Sequence, residues 1–216
     1  MKEAIRIINV YPKFAVKNEA KEKAYFLKDL RLAGNFIAKK LGKDFIFEID
    51  ERNSEIIEQL WFYITGSPRF IGAHKKGIFL SGNIGTGKTV LMLAFLEVLR
   101  RQLGKSSYEV LFPDNMHKVF TEKGLEHYQL RTLLIDDMCR EPNNVKDYGR
   151  LVDPVRELTM YRNRYPCQSY ATANFPVYKN GRLLVKNELV QRYGVMVFDR
   201  MKEQYNFLEL TGKSRR

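Results

Sequence analysis

Eight consecutive residues, Gly82-Asn83-Ile84-Gly85-Thr86-Gly87-Lys88-Thr89, have the spacing G-x-x-x-x-G-K-[ST] of a loop that holds a triphosphate. The glycines let backbone N–H groups close around phosphate oxygens. A helix beginning at the end of the loop adds the partial positive charge of its N-terminus. Lys88 is placed to reach the β- and γ-phosphates, the Thr89 hydroxyl to hold Mg²⁺, and Val90 to carry the chain into the helix. A second set of groups closes the apolar run "LLIDDM". Two unpaired carboxylates at the end of a buried strand are costly unless a cation offsets them. Asp136 is therefore expected to hold Mg²⁺ through water, and Asp137 to orient or deprotonate an attacking water. Asn174, at the end of "SYATAN", is the third group, its amide expected to reach between the carboxylates and the γ-phosphate. ATP and Mg²⁺ are the expected cofactors.

These groups need a sheet to place them. Ile78, Phe79 and Leu80 precede the phosphate loop as a strand, and Val90 to Leu103 follow it as a helix. Further strands are expected at "YEVLF" (108–112), "RTLLIDDM" (131–138), "QSYATANF" (168–175) and "YNFLEL" (205–210). Between them, Asp114 is expected to cap a short helix running through Phe120, and a longer helix to span Leu151 to Arg164. Alternating elements of this kind imply a parallel sheet with helices on both faces and ligands at the strands' C-terminal ends. Upstream, Leu27, Leu30, Ala33, Ile37 and Leu41 recur at helical spacing within 17–41, and Gly42 is a stop signal. A second helix is expected from Asn53 to Thr65, ended by Gly66-Ser67-Pro68, with "DFIFEID" (44–50) as a short strand between the two. Residues 1–70 thus read as a mostly helical segment that either pads the nucleotide-binding core or binds a partner, and 71–216 as the nucleotide-binding core.

Composition narrows the function classes. The chain has 216 residues with 37 Lys and Arg against 25 Asp and Glu, a formal net charge of +12. That imbalance favours a polyanionic partner beyond the nucleotide. No run approaches the length of a membrane span, and Lys2, Glu3 and Arg6 interrupt any signal-like start, so a cytoplasmic location without membrane association is expected. Cys139 and Cys167 are too few for a disulfide framework or a zinc site and read as core residues. His74, His117 and His127 are too scattered to suggest a metal site.

Beyond these readings, "LLIDDM", "YRNRYP", "YATANFP", "YGVMVFDRM" and the closing "GKSRR" resemble the helicase loaders and transposition helpers of the DnaC/IstB type, a branch of the AAA+ ATPases. The resemblance covers about residues 70–216. It implies a P-loop AAA+ fold, with a five-stranded parallel sheet flanked by helices and a C-terminal lid that is absent or very short. It makes Asn174 the sensor-1 residue, with Ala173 where Ser is usual, and matches Arg200 of "FDRM" to an arginine finger acting in trans. A finger of this kind implies self-association. Arg192 in "QRYG" is a second arginine for the same interface, and Arg216 stands near the family's terminal Ser-x-Arg with its role open.

The resulting expectation is an ATP-hydrolysing assembly factor acting on DNA, single-stranded in the first instance. Its protein partner would be a replicative helicase if it is a loader, or a transposase if it is a transposition helper. "VYKNGRLLVK" carries an Asn-Gly turn between apolar residues, a hairpin whose Lys179, Arg182 and Lys186 could track a phosphate backbone or simply be solvated. Two readings from other classes use the same loop: a nucleotide-dependent scaffold that barely hydrolyses ATP, and a small-molecule kinase. The kinase would need a lid and an acceptor site, and neither is visible after Arg200.

Overall fold

The computed structural model describes residues 19–102, 107–165, 167–175, 178–179 and 182–215. Five strands form one parallel sheet: β1 (Gly77–Ser81), β2 (Glu109–Leu111), β3 (Leu133–Ile135), β6 (Ser169–Thr172) and β9 (Tyr205–Glu209), in the order β2-β3-β6-β1-β9. The register pairs Phe79 with Ala171 on one side of β1 and with Phe207 on the other. β6 is inserted between the strand feeding the phosphate loop and β3, which ends in the two aspartates. Such a change in strand order opens a crevice at the strands' C-terminal ends.

Side-chain alternation along these strands divides the apolar interior in two. Ile78, Leu80, Leu134, Tyr170 and Leu208 face one layer, built from α1 (Glu19–Lys40), α2 (Ser54–Thr65) and α3 (Lys88–Gln102). Phe79, Leu133, Ile135 and Ala171 face the other, built from α4 (Met116–Lys123), α5 (Pro154–Arg162), α6 (Leu184–Tyr193) and α7 (Val195–Gln204). α1 buries Phe26, Leu30, Ala33 and Ile37, the i, i+4, i+7, i+11 stripe of an amphipathic helix, and shares its cluster with α2 and α3. The segment before the phosphate loop is thus continuous with the core on this side of the sheet.

Three local expectations are corrected. "DFIFEID" forms no strand. The Asn35 side chain takes both backbone groups of Phe47, accepting from its N–H at 2.9 Å and donating to its carbonyl at 3.3 Å, so these groups need no neighbouring strand. Gly34 lets the chain lie there, since a Cβ at that position would stand 2.3 Å from the Phe47 ring. The helix expected from Leu151 begins at Pro154, with the Asp153 side chain as its cap, accepting from Arg156 N–H at 3.0 Å. Residues 150–152 belong instead to β5 (Arg150–Val152), which pairs antiparallel with β4 (Val145–Asp147). Asp114 lies inside a 3-10 turn (Pro113–Asn115). The N-cap of α4 is Asn115, whose side-chain oxygen turns back to accept from Phe112 N–H.

The hairpin expected around Asn180-Gly181 is present as β7 (Tyr178–Lys179) paired with β8 (Arg182–Leu183). Its two turn residues, and the side chains of Lys179 and Arg182, lie outside what the structure describes. Lys186 is exposed on α6.

Arg162 fastens the sheet's rear edge. Its guanidinium, 2% exposed, donates to the carbonyls of Tyr128, Gln129, Arg131 and Gln168 and to Ser169 Oγ. Those acceptors precede or begin β3 and β6. Arg162→Ala strands several buried carbonyls at once, so the variant is expected to lose about 3–5 kcal/mol of stability in urea unfolding. A loss below about 1 kcal/mol would mean that water replaces the guanidinium.

Candidate functional site

The phosphate loop is laced to the strands beside it. Gly82 N–H donates to Phe175 O at 2.9 Å, Ala173 N–H to Leu80 O at 3.1 Å, and Leu210 N–H to Ser81 O at 2.8 Å. Gly82, Gly85 and Gly87 all have positive φ, at 145°, 83° and 94°. A Cβ on Gly82 would stand 2.2 Å from Leu210 O, and one on Gly85 would stand 2.3 Å from Ser214 Oγ, so both positive φ and close approach call for glycine. Asn83 and Ile84 form the exposed tip, Thr86 is buried with its hydroxyl donating to Asn83 O, and Val90 is buried in α3.

Lys88 is only 4% exposed, and its ammonium donates to Gly82 O at 3.0 Å and Asn83 O at 2.7 Å. α3 begins at Lys88, so the N–H groups of its first turn point into the same loop. Thr89 Oγ1 donates to Asp136 Oδ2 at 3.2 Å. The other oxygen of Asp136 accepts from Thr172 Oγ1 at 2.7 Å, and the same hydroxyl accepts from Asp137 N–H at 2.9 Å. Thr172 thereby sets the spacing of both aspartates. It is the last residue of β6, two before Asn174, and a hydroxyl closing the strand that carries Asn174 at its tip is the signal by which the sequence reading could have found it.

Asp136 is 7% exposed, and burial raises its carboxyl above the usual range against the pull of its two threonine bonds. A hydroxyl and a carboxylate form a hard, all-oxygen donor pair. Among the described residues no three His, Cys, Asp or Glu side chains gather as a metal cluster. Both facts suit Mg²⁺, which keeps several waters and takes one or two protein oxygens alongside phosphate.

Asn174 Nδ2 donates to Asp137 Oδ1, and Arg140 Nη1 pairs with Asp137 Oδ2 at 3.0 Å. Lys88, Thr89, Asp136, Asp137 and Asn174 are thus brought to one crevice. Arg200 is not among their partners. It lies on α7, half-exposed, pairing with Glu203 at 3.1 Å, beside exposed Val195 and Met196.

Arg192 does not face the surface that Arg200 faces. It turns inward to Glu141 at 2.9 Å and Asp153 at 3.1 Å, because two buried or half-buried carboxylates hold it there. Arg216 lies outside the described residues. Its neighbour Arg215 crosses the phosphate loop: its N–H donates to Gly85 O at 2.9 Å and its guanidinium pairs with Asp50 at 2.6 Å. Asp50 also binds Arg52, and chiefly through that bond its carboxyl is lowered to about 2. The sequence reading missed this strap, since Asp50 and Arg215 are joined only through space.

The two cysteines are free and half-buried rather than core. His127 pairs with Glu109, and His74 stacks on Tyr63. Among the described residues no helix is long and apolar enough to cross a membrane.

A parallel sheet of this order, with a phosphate loop after β1, aspartates at the end of β3 and Asn174 beyond β6, has the layout of a P-loop nucleotide-binding fold. No protein-family model matches the chain, and no curated protein matches it. Solved structures do. The DnaC helicase loader is similar in fold at 19% identity and a TM-score of 0.56, over 77% of this chain and 94% of that one. A protein assigned as a primosome component of Streptococcus pyogenes serotype M3 is similar at 18% identity and a TM-score of 0.55, over 77% of this chain and 84% of that one. The expected fold class, a five-stranded parallel AAA+ sheet flanked by helices, is the one observed, and no helix follows β9 among the described residues.

Proposed function

We propose that this chain is an ATP-binding and ATP-hydrolysing assembly factor that acts on DNA, a loader of a replicative helicase. The observation that carries the ATPase reading is the approach of Thr89 Oγ1 to Asp136 across two elements 47 residues apart in sequence, beside a desolvated Lys88. Bound Mg²⁺·ATP supplies the γ-phosphate and the cation that draws charge onto its oxygens. The chain's own groups do the remainder. Loop N–H groups and Lys88 bind the phosphates, Thr89 and Asp136 hold the cation, Asp137 handles the attacking water, and Asn174 orients Asp137. Arg200 is read as acting on a neighbouring subunit's nucleotide, because it is exposed on α7 and does not touch its own chain's site.

The loader reading is supported by fold similarity over 94% of the solved chain of the DnaC helicase loader, and by the net charge of +12, which suits a nucleic acid partner. Its test is steady-state ATP turnover of the full chain with single-stranded DNA, double-stranded DNA or neither, alongside mass measurement of mixtures with the host's replicative helicase. Turnover stimulated by single-stranded DNA, and an ATP-dependent complex with the helicase, are expected. ATP binding without turnover and without a response to DNA would leave a nucleotide-dependent scaffold in its place.

A further inference from the structure

A buried ionic cluster that the chemistry above does not use lies directly behind Asp137. The turn after β3 holds two non-glycine residues in the left-handed region, Asp137 at φ 53° and Cys139 at φ 77°. Side chains avoid that region, and it persists only where the surroundings over-determine it. On the crevice side, the Thr172 hydroxyl and carbonyl take the N–H groups of Asp137 and Met138. On the far side, Glu141 and Tyr193 take the N–H of Cys139, at 2.8 Å and 3.1 Å.

Glu141 is fully buried. Its remaining oxygen accepts from Tyr193 OH at 2.6 Å and from Arg192 at 2.9 Å. Arg192 in turn pairs with Asp153, the cap of α5. A fully buried carboxylate held by a tyrosine, an arginine and a backbone N–H has most of its acceptor sites filled and cannot swing away cheaply.

We propose that Glu141, clamped by Arg192 and Tyr193, is a positioning residue for ATP hydrolysis: it fixes the left-handed turn that presents Asp137 to the attacking water. The inference rests on the reading of Asp137 given above. The same clamp joins that turn to α6, whose end at Gly194 leads directly into α7 and Arg200. The group handling water in one subunit's site and the helix offering charge to the next site therefore share an anchor.

Two variants and two readouts test it. Glu141→Ala removes the nearer of the two acceptors for Cys139 N–H, whereas Glu141→Gln keeps a carbonyl for that N–H and turns an NH2 group, a donor, toward Tyr193 and Arg192. For Glu141→Ala, amide hydrogen exchange at Met138 and Cys139 is expected to rise about tenfold or more. Its kcat is expected to fall roughly 10- to 100-fold while ATP affinity stays within about twofold of wild type. Glu141→Gln is expected to keep exchange protection at Cys139 near wild type and to retain a higher kcat than Glu141→Ala, while losing the ion pair to Arg192.

Unchanged exchange at those amides in Glu141→Ala would overturn the proposal. So would exchange at Cys139 that rises equally in the two variants, or a kcat loss matched by an equal loss of ATP affinity. Exchange is read without turnover, so a wild-type chain that hydrolyses no ATP would sink the ATPase reading while the turn's dependence on Glu141 was still decided.

Discussion

Lys88→Ala is expected to weaken ATP binding by roughly 10²–10³-fold, measured by calorimetry or displacement of a fluorescent nucleotide, with the fold intact. The size follows from burial. The ammonium is nearly removed from water and bonded to two loop carbonyls, so its charge acts on phosphate oxygens in a poorly screening environment. Its site is made of backbone that stays folded without it, because the loop is held by Phe175, Leu80 and Leu210 through hydrogen bonds to and from 81, 82 and 173 that involve no lysine. Alanine therefore removes a phosphate ligand without removing the loop. An affinity within about threefold of wild type would mean that the loop binds something other than a triphosphate, since the β- and γ-phosphates are what Lys88 is placed to reach.

Arg200→Ala is expected to lower turnover by about 10³-fold while leaving ATP affinity near wild type. Among the described residues the guanidinium pairs with Glu203 on the same helix face and with no group of the crevice. Exposed ion pairs of this kind contribute little stability, so the substitution is expected to leave the fold undisturbed. Val195 and Met196 leave apolar surface beside it, the composition of a patch that packs against another protein. Wild-type turnover per subunit is expected to rise with protein concentration, and the residual turnover of Arg200→Ala to be flat. Unchanged turnover in the variant would return Arg200 to the role its visible partner suggests, an ordinary surface ion pair.

Legibility differed between the parts of this molecule for physical reasons. The sheet was readable because its strands are built largely of apolar and aromatic residues, and the crevice because Asp136, Asp137 and Asn174 follow strand ends while Lys88 and Thr89 open the helix after the phosphate loop. The loop at 44–50 misled, because a single distant side chain, Asn35, satisfies the backbone groups that its strand-like pattern would give to a neighbour. The β4–β5 hairpin was hidden because its strands are only three residues long and rich in Lys, Asp and Arg, which carry no strand signal. Glu141 with Arg192, and Asp50 with Arg215, were invisible for a different reason. Each is a through-space pairing of residues 51 and 165 positions apart, and nothing local in the chain marks either partner. Thr172 could have been read from its place as the hydroxyl residue closing the strand before Asn174.

Each ATP site is proposed to be shared between two subunits, with the phosphate loop and Lys88 on one and Arg200 on the next. Mixing the two inactive variants tests this most directly. Lys88→Ala keeps its Arg200 and Arg200→Ala keeps its Lys88, so under random 1:1 assembly about one interface in four joins an intact phosphate loop to an intact finger. Turnover of the mixture is expected to recover to about a quarter of wild type. A mixture no more active than the sum of its two components would contradict a shared site.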